Sequence, residues 1–212
     1  MSGGEVSVAI INYGVGNLLS IYTAFKRAGA SPRIVEDLRE AYEHDAIIFP
    51  GVGAFKPVIR KLQENRVHLS KLLEEKPILG ICLGMQLLYE RSEEGCPPGE
   101  YLQGLGIFRG DVRRFPANVK IPQMGWNTLR IIRRGCPLLS GIPDGAYVYY
   151  ANSYAPGLSE DAVAVTEYGV EFTAVAQRDM IFGTQFHPEK SGRWGLRMIE
   201  NFIKLVEGEK GR

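Results

Sequence analysis

The sequence predicts an α/β fold: an open, mixed, mostly parallel sheet with flanking helices, and an additional antiparallel portion in the second half. Three observations carry this expectation. The first half alternates short β-branched apolar runs with stretches of helical period, the pattern of parallel strands joined by right-handed crossovers. The second half holds short β-rich runs separated by turn residues, as antiparallel or mixed strands do. The composition, 45% hydrophobic and 23% charged over 212 residues, suits a buried core rather than a disordered chain.

Residues 6–13 (VSVAIINY) are rich in β-branched side chains and end at Gly14, so they predict a buried strand. Asn17 follows as an N-cap for a helix that places Leu18, Ile21, Tyr22 and Phe25 on one face and closes near Gly29. Residues 33–36 predict a short second strand and Ala46–Phe49 a third, which ends at Pro50-Gly51-Val52-Gly53. A helical stretch runs to about Glu75. Residues 77–82 (PILGIC) predict the next strand, which leads into a helix start at Leu83-Gly84-Met85-Gln86-Leu87-Leu88. Further on, the runs 106–108, 112–115, 128–132, 147–150, 162–167, 173–177 and 181–186 predict short strands, punctuated by turns such as Pro143-Asp144-Gly145. Residues 194–206 predict a last amphipathic helix, and 207–212 a charged, frayed tail. No linker or repeat divides the chain, so residues 1–212 are expected to form one domain.

With 25 basic against 24 acidic side chains, no strong basic field gathers phosphate backbones, which disfavours nucleic acid as a partner. The three cysteines, Cys82, Cys96 and Cys136, form no C-x-x-C pair and have no histidine at ligand spacing. This argues against a disulfide framework and a metal site. The N-terminal segment lacks a basic region followed by a cleavable apolar stretch, and no apolar run approaches bilayer length. A cytoplasmic protein with no membrane association is expected.

The segment Gly80-Ile81-Cys82-Leu83-Gly84 places a cysteine between a strand and a helix, with a glycine two positions to either side. That spacing suits a nucleophile elbow, whose tight turn needs room for close backbone packing. The thiol would project above the carboxyl end of the sheet, where open α/β folds place ligands. The helix N-terminus favours a thiolate, and the Leu83 amide is placed to donate to an oxyanion. A buried structural cysteine is the plain alternative, against which the paired glycines weigh.

A cysteine nucleophile needs a base, and the chain offers His44, His68 and His187. The first two lie in polar or charged surroundings and are expected at the surface. His187 closes an apolar strand in Gly183-Thr184-Gln185-Phe186-His187-Pro188-Glu189. Residues two apart in extended chain share a side, so Glu189 can reach His187 and fix its tautomer, with Pro188 stiffening the link. The Pro50–Gly53 turn would end its strand on the same sheet edge as Cys82 and could complete an oxyanion hole. It lacks the glycines and the Lys-Ser/Thr pair of a phosphate loop.

Taken together, Gly-Ile-Cys82-Leu-Gly-Met-Gln, Pro-Gly-Val-Gly and Gly-Thr-Gln-Phe-His187-Pro-Glu189 resemble the class I (triad) glutamine amidotransferases. Asn12-Tyr-Gly-Val-Gly-Asn17, Pro122-Gln-Met-Gly-Trp-Asn127 and Glu189-Lys190-Ser191 narrow the likeness to the glutaminase subunits of imidazole glycerol phosphate synthase, from histidine biosynthesis. The motifs span residues 12 to 191. The resemblance implies Cys82 as nucleophile, His187 as general acid/base and Glu189 as its orienting partner. It makes the Val52 and Leu83 amides the oxyanion donors, and gives Gly53, Gln86, Glu94, Ser153 and Tyr154 to glutamine. Asn152 stands where related chains usually carry histidine, outside the triad, so the departure bears on the substrate loop or the partner interface.

The implied activity is hydrolysis of glutamine to glutamate and ammonia without metal or organic cofactor. The ammonia would pass to a (β/α)₈-barrel cyclase partner in a heterodimer, which makes imidazole glycerol phosphate and an aminoimidazole carboxamide ribotide. Asn12, Trp126 and Lys190 are the expected partner contacts. The rival readings are a glutaminase subunit for anthranilate or aminodeoxychorismate synthesis, a stand-alone γ-glutamyl hydrolase, and an inactive regulatory subunit. The first usually has histidine where Met85 stands and lacks Met-Gly-Trp-Asn. The last is disfavoured by the intact Cys82, His187 and Glu189 set.

Overall fold

The computed structural model describes residues 5–14, 18–51 and 53–210. Strand β1 (Ser7–Ile11) shows how the core divides. Val8 and Ile10 enter one apolar cluster and Ala9 and Ile11 the other, because successive side chains leave opposite faces of a strand. Helix α1 (Leu19–Arg27) buries Ile21 and Phe25 on the first face and closes over Gly29, whose φ is +91°. The proposed cap, Asn17, lies outside the described residues. Strand β2 (Ser31–Val35) and the one-turn helix α2 (Leu38–Ala41), capped by Asp37, precede β3 (Ala46–Phe49). The predicted helical stretch is two helices, α3 (Phe55–Glu64) and α4 (Arg66–Glu75), which break at Asn65. Strand β4 (Ile78–Ile81) is buried at every position, as a central parallel strand must be.

After β4 comes helix α5 (Leu83–Leu87), shorter than its apolar sequence suggests. Tyr89 is instead drawn into β5 (Tyr89–Ser92), which pairs with β6 (Leu102–Gln103) and β7 (Phe108–Arg114). The predicted runs 106–108 and 112–115 therefore merge into the single strand β7. The predicted run 128–132 divides into the end of β8 (Gln123–Thr128) and β9 (Arg130–Ile131). Buried Leu129 is the pivot: its amide bonds the Ala146 carbonyl while the flanking strands join different sheets. Strands β10 (Tyr147–Asn152), β11 (Tyr154–Pro156), β12 (Ala162–Glu167), β13 (Glu171–Arg178) and β14 (Ile181–Thr184) complete the sheets.

Helix α6 (Gly192–Lys210) ends the described chain and corrects the expectation of a frayed tail from residue 207. Its apolar face runs from Met198 to Val206, and Lys210 forms an ion pair with Asp45 at 2.7 Å, so the last turn has something to hold. No helix among the described residues is long and apolar enough to cross a membrane.

The main sheet has the order β2-β1-β3-β4-β14-β13-β12-β9. The five strands from β2 to β14 are parallel, and β13, β12 and β9 continue antiparallel. Helices α1 and α6 cover one face, and α2 to α5 the other. Strands β8 and β10 form a separate ribbon, and β11-β7-β5-β6 a four-stranded sheet. The order positions the candidate site: β4 lies between β3 and β14, so the three segments that follow these strands emerge side by side.

Close backbone approach fixes α5 at that edge. A Cβ on Gly84 would stand 1.9 Å from the Phe49 carbonyl oxygen, so Gly84→Ala must push helix and strand apart. We expect a loss of about 1–3 kcal/mol in a urea melt. Gly208→Ala meets nothing within 4 Å on α6 and should instead add up to about 1 kcal/mol in the same melt, as Ala does over Gly within a helix.

Candidate active site

Cys82 follows β4 immediately and leads into α5 with φ +49° and ψ −107°, in the left-handed half of conformational space that a side chain resists. Its amide bonds the Thr184 carbonyl at 2.7 Å and its carbonyl accepts from the Gln86 amide at 3.1 Å, so strand β14 and helix α5 together hold the turn. Gly80 is required for the same reason, since a Cβ there would sit 2.7 Å from the Gly84 backbone. A Cβ on Gly51 would stand 2.7 Å from Cys82 Cβ and 3.1 Å from His187 Cε1. The absent side chain at position 51 is what lets thiol and imidazole share one space.

His187 lies three residues beyond β14, with 7% of its side chain exposed, and its Nδ1 is 2.8 Å from Glu189 Oε1, of whose side chain 3% is exposed. Ser191 locks the backbone beneath them: its hydroxyl donates to the His187 carbonyl at 2.6 Å and accepts from the Tyr149 amide at 2.9 Å. The His187 amide in turn donates to the Tyr149 carbonyl, tying the histidine to ribbon β8–β10. With Nδ1 committed to the carboxylate, Nε2 is left for the Cys82 side chain, with which His187 also interacts. Burial alone would lower the imidazole pKa from its ordinary 6.5. The negative charge and hydrogen bond of Cys82, joined by those of Glu189, outweigh it and push the value up to about 10.

The other expected site residues gather around this group to different degrees. Gln86 is buried on α5, and its Nε2 donates to the Tyr154 carbonyl and to Gln185 Oε1, both at 2.9 Å. The Gln185 Nε2 lies 3.5 Å from Cys82 Sγ, and the Ala151 carbonyl 4.0 Å from the same sulfur. Asn152 is buried and donates to the Tyr154 carbonyl at 2.9 Å, so the departure from histidine sits in the scaffold of this loop. Ser153 is half-buried, and its carbonyl accepts from the Phe115 amide. Glu94 bonds the Phe55 amide at the start of α3, two residues past Gly53; burial raises its pKa and that bond partly offsets the rise. The Leu83 amide heads α5 next to the sulfur. Gly53 is exposed with φ +100°, while Val52 lies outside the described residues.

Trp126 is 56% exposed on β8, packed edge-on against Tyr149 at 5.9 Å. It shares an outward face with exposed Met124 and Tyr147. Lys190 is exposed in the Pro188–Lys190 turn. Asn12 follows β1, donating to Glu36 and accepting from the Gly14 amide. His44, expected at the surface, is buried, and its carbonyl accepts from the Lys76 ammonium at 2.8 Å. His68 is half-buried against Tyr42. Neither belongs to the segments that follow β3, β4 and β14. Sequence reasoning passed over Gln185 and the anchoring role of Ser191. Gln185 had a usable signal, since it stands two residues before His187 and shares its side of an extended chain.

A thiol beside an imidazole that a carboxylate orients can form an acyl thioester and then hydrolyse it, which is the chemistry of a cysteine-dependent hydrolase. The chain belongs to the glutamine amidotransferase class-I family, whose model matches residues 9–205. It is 45% identical over 208 residues to the imidazole glycerol phosphate synthase subunit HisH of Caldanaerobacter subterraneus subsp. tengcongensis, covering 94% of this chain and 98% of the relative. It is also 45% identical over 202 residues to the protein of the same name from Archaeoglobus fulgidus, covering 94% and 99%. Among solved structures, a putative GMP synthase protein from Thermoplasma acidophilum has a TM-score of 0.73 at 18% identity, covering 98% of this chain and 96% of that one. PurLQS from Thermotoga maritima has the same TM-score and identity, covering 95% and 99%. These two likenesses show the fold.

Because folding raises the His187 pKa, its contribution to stability is whole below the ordinary value of 6.5 and fades as the pH rises through about 10. Cys82→Ala removes the largest of the raising influences. We expect nitrogen NMR of the ring to show His187 doubly protonated past neutral pH in the native protein, with its midpoint moved down in Cys82→Ala. A midpoint that ignores the substitution would separate the imidazole from the sulfur.

Proposed function

We propose that this chain is the glutaminase subunit of an imidazole glycerol phosphate synthase, its 212 residues acting as one cytoplasmic amidotransferase domain. The observation that carries the reading is the Cys82 thiol, set at a left-handed strand–helix elbow against the buried His187–Glu189 pair. Cys82 Sγ attacks the side-chain amide carbon of glutamine, and the carbonyl oxygen takes up negative charge facing the Leu83 amide and that of Val52. His187, which holds its proton to about pH 10, gives that proton to the departing nitrogen, and ammonia leaves. The freed imidazole then takes a proton from water, whose oxygen attacks the thioester carbon. Glutamate departs, and the proton returns to the Cys82–His187 pair. Glu189 holds the imidazole in one tautomer throughout. Gly53, Gln86, Glu94, Ser153 and Tyr154 surround the γ-glutamyl group in this reading.

Relatives sharing 45% of the sequence are subunits of a synthase, so this chain is a subunit that works with a partner. The partner we propose is a (β/α)₈-barrel cyclase that receives the ammonia. The exposed face of Met124, Trp126 and Tyr147 supports a docking site there, because its ribbon bonds directly to the His187 backbone. Trp is a favoured interface anchor, and Lys190 and Asn12 belong to the same proposed surface.

Cys82→Ala, assayed for glutamate release with the partner present, should lose at least ~10³-fold in rate while keeping its melting temperature. Wild-type turnover in that variant would falsify the assignment. Without the partner, the chain should hydrolyse glutamine ~10²–10³-fold more slowly, the cost of one missing oxyanion donor in the Pro50–Gly53 turn. Trp126→Ala should weaken partner binding and activation far more than folding, measured by titrating the cyclase into the glutaminase assay. Equal rates with and without the cyclase would favour a stand-alone hydrolase.

A further inference from the structure

We propose that Gln185 is a positioning residue for the nucleophile: its side-chain amide donates to Cys82 Sγ, holding the thiolate in place and stabilising its charge. The inference rests on the proposed function and adds to it a donor outside the triad. Three features of the structure support it.

The first is the chemistry around the sulfur. Among the described residues, Cys82 Sγ has the Ala151 carbonyl at 4.0 Å, the Gln185 amide nitrogen at 3.5 Å and the His187 imidazole as polar neighbours. A carbonyl can only accept, so it suits the neutral thiol and gives nothing to a thiolate. Once the proton has moved to His187, Gln185 is the one neutral donor of the three that still bonds the charged sulfur.

The second is that the amide cannot present its oxygen instead. The Tyr154 backbone carbonyl accepts from one end of Gln86, which identifies that end as Nε2. The same Nε2 donates to Gln185 at 2.9 Å, so the Gln185 atom facing it must be Oε1. The remaining end of Gln185, the one facing the sulfur, is then Nε2. A chain of fixed polarity thus runs from a backbone carbonyl through two amides to the nucleophile, and neither amide can flip without breaking a bond.

The third is placement. Gln185 is fully buried, and its backbone amide is held by the Ala174 carbonyl at 2.9 Å. It precedes His187 by two residues, so both side chains leave the chain on the side that faces Cys82. An amide sealed from water is costly unless its groups are bonded, and Gln86 and Cys82 are the side chains that bond it. The arrangement also links Gln86, which the proposed function gives to the substrate, to the atom that attacks that substrate.

The test is the pH profile of Cys82 alkylation by iodoacetamide in the full chain, read by peptide mapping to separate Cys82 from Cys96 and Cys136. No glutamine is needed, so the result is independent of whether glutamine hydrolysis proceeds as proposed; Cys82→Ala tests that separately. Gln185→Met keeps nearly the same shape without the donor. It should lower the alkylation rate at neutral pH by on the order of tenfold, the worth of a hydrogen bond to a charged group. Its rate should return to the wild-type plateau at high pH, where the sulfur is ionised in any case. Gln185→Glu places a carboxylate against the sulfur and should move the profile further toward high pH. Melting temperatures measured alongside show that each variant is folded, and either variant suffices if the other is not. Profiles that superimpose on the wild type, or rates lowered equally at every pH, would overturn the proposal.

Discussion

Everything in this molecule depends on one close approach: the elbow at Cys82 pressed between the ends of β3 and β14. Holding a cysteine at φ +49° costs on the order of 1–3 kcal/mol, and such a conformation persists only where its surroundings over-determine it. Here they do. The Thr184 carbonyl takes the Cys82 amide, the Gln86 amide takes its carbonyl, and the Phe49 backbone lies where any side chain at position 84 would go. The strand order supplies the rest, since only with β4 between β3 and β14 do the Gly51 turn, the thiol and the imidazole meet.

That packing creates an electrostatic problem and solves it locally. His187 and Glu189 are nearly sealed from water, where an isolated charge would be very unfavourable. The imidazole lies between Cys82 and Glu189, and its charge interactions and hydrogen bonds with them exceed the penalty of burial, so its pKa is pushed up rather than down. In the reaction we propose, a protonated imidazole beside Cys82 is ready to be an acid before it must be a base. This is the order that amide cleavage needs, because the leaving nitrogen takes a proton first.

The same backbone that holds the imidazole also carries an exposed apolar ribbon. The amide of His187 bonds Tyr149, whose ring meets Trp126 on the outer side of β8. That outer side is therefore one strand away from the His187–Glu189 pair. A surface that bears Met124, Trp126 and Tyr147 in the open is poorly suited to water and well suited to a partner.

The sequence by itself determined what local spacing can determine. The apolar runs at β1, β3 and β4 announced parallel strands, because strands buried on both faces are continuous in hydrophobicity. The glycines around Cys82 announced the elbow, and the two-residue step from His187 to Glu189 announced their pairing, both being properties of a few consecutive residues. Tertiary structure decided what depends on partners far away in the chain. It ended α5 after five residues because β7 claims Tyr89, carried α6 to Lys210 because Asp45 meets it, and buried His44 in a segment that is polar along the sequence. It also placed Gln185 directly against a sulfur 103 residues earlier, with its other end held by the Gln86 amide on α5. Contacts of that kind leave no periodic trace, since their geometry is set by how strands are ordered in the sheet rather than by the residues beside them.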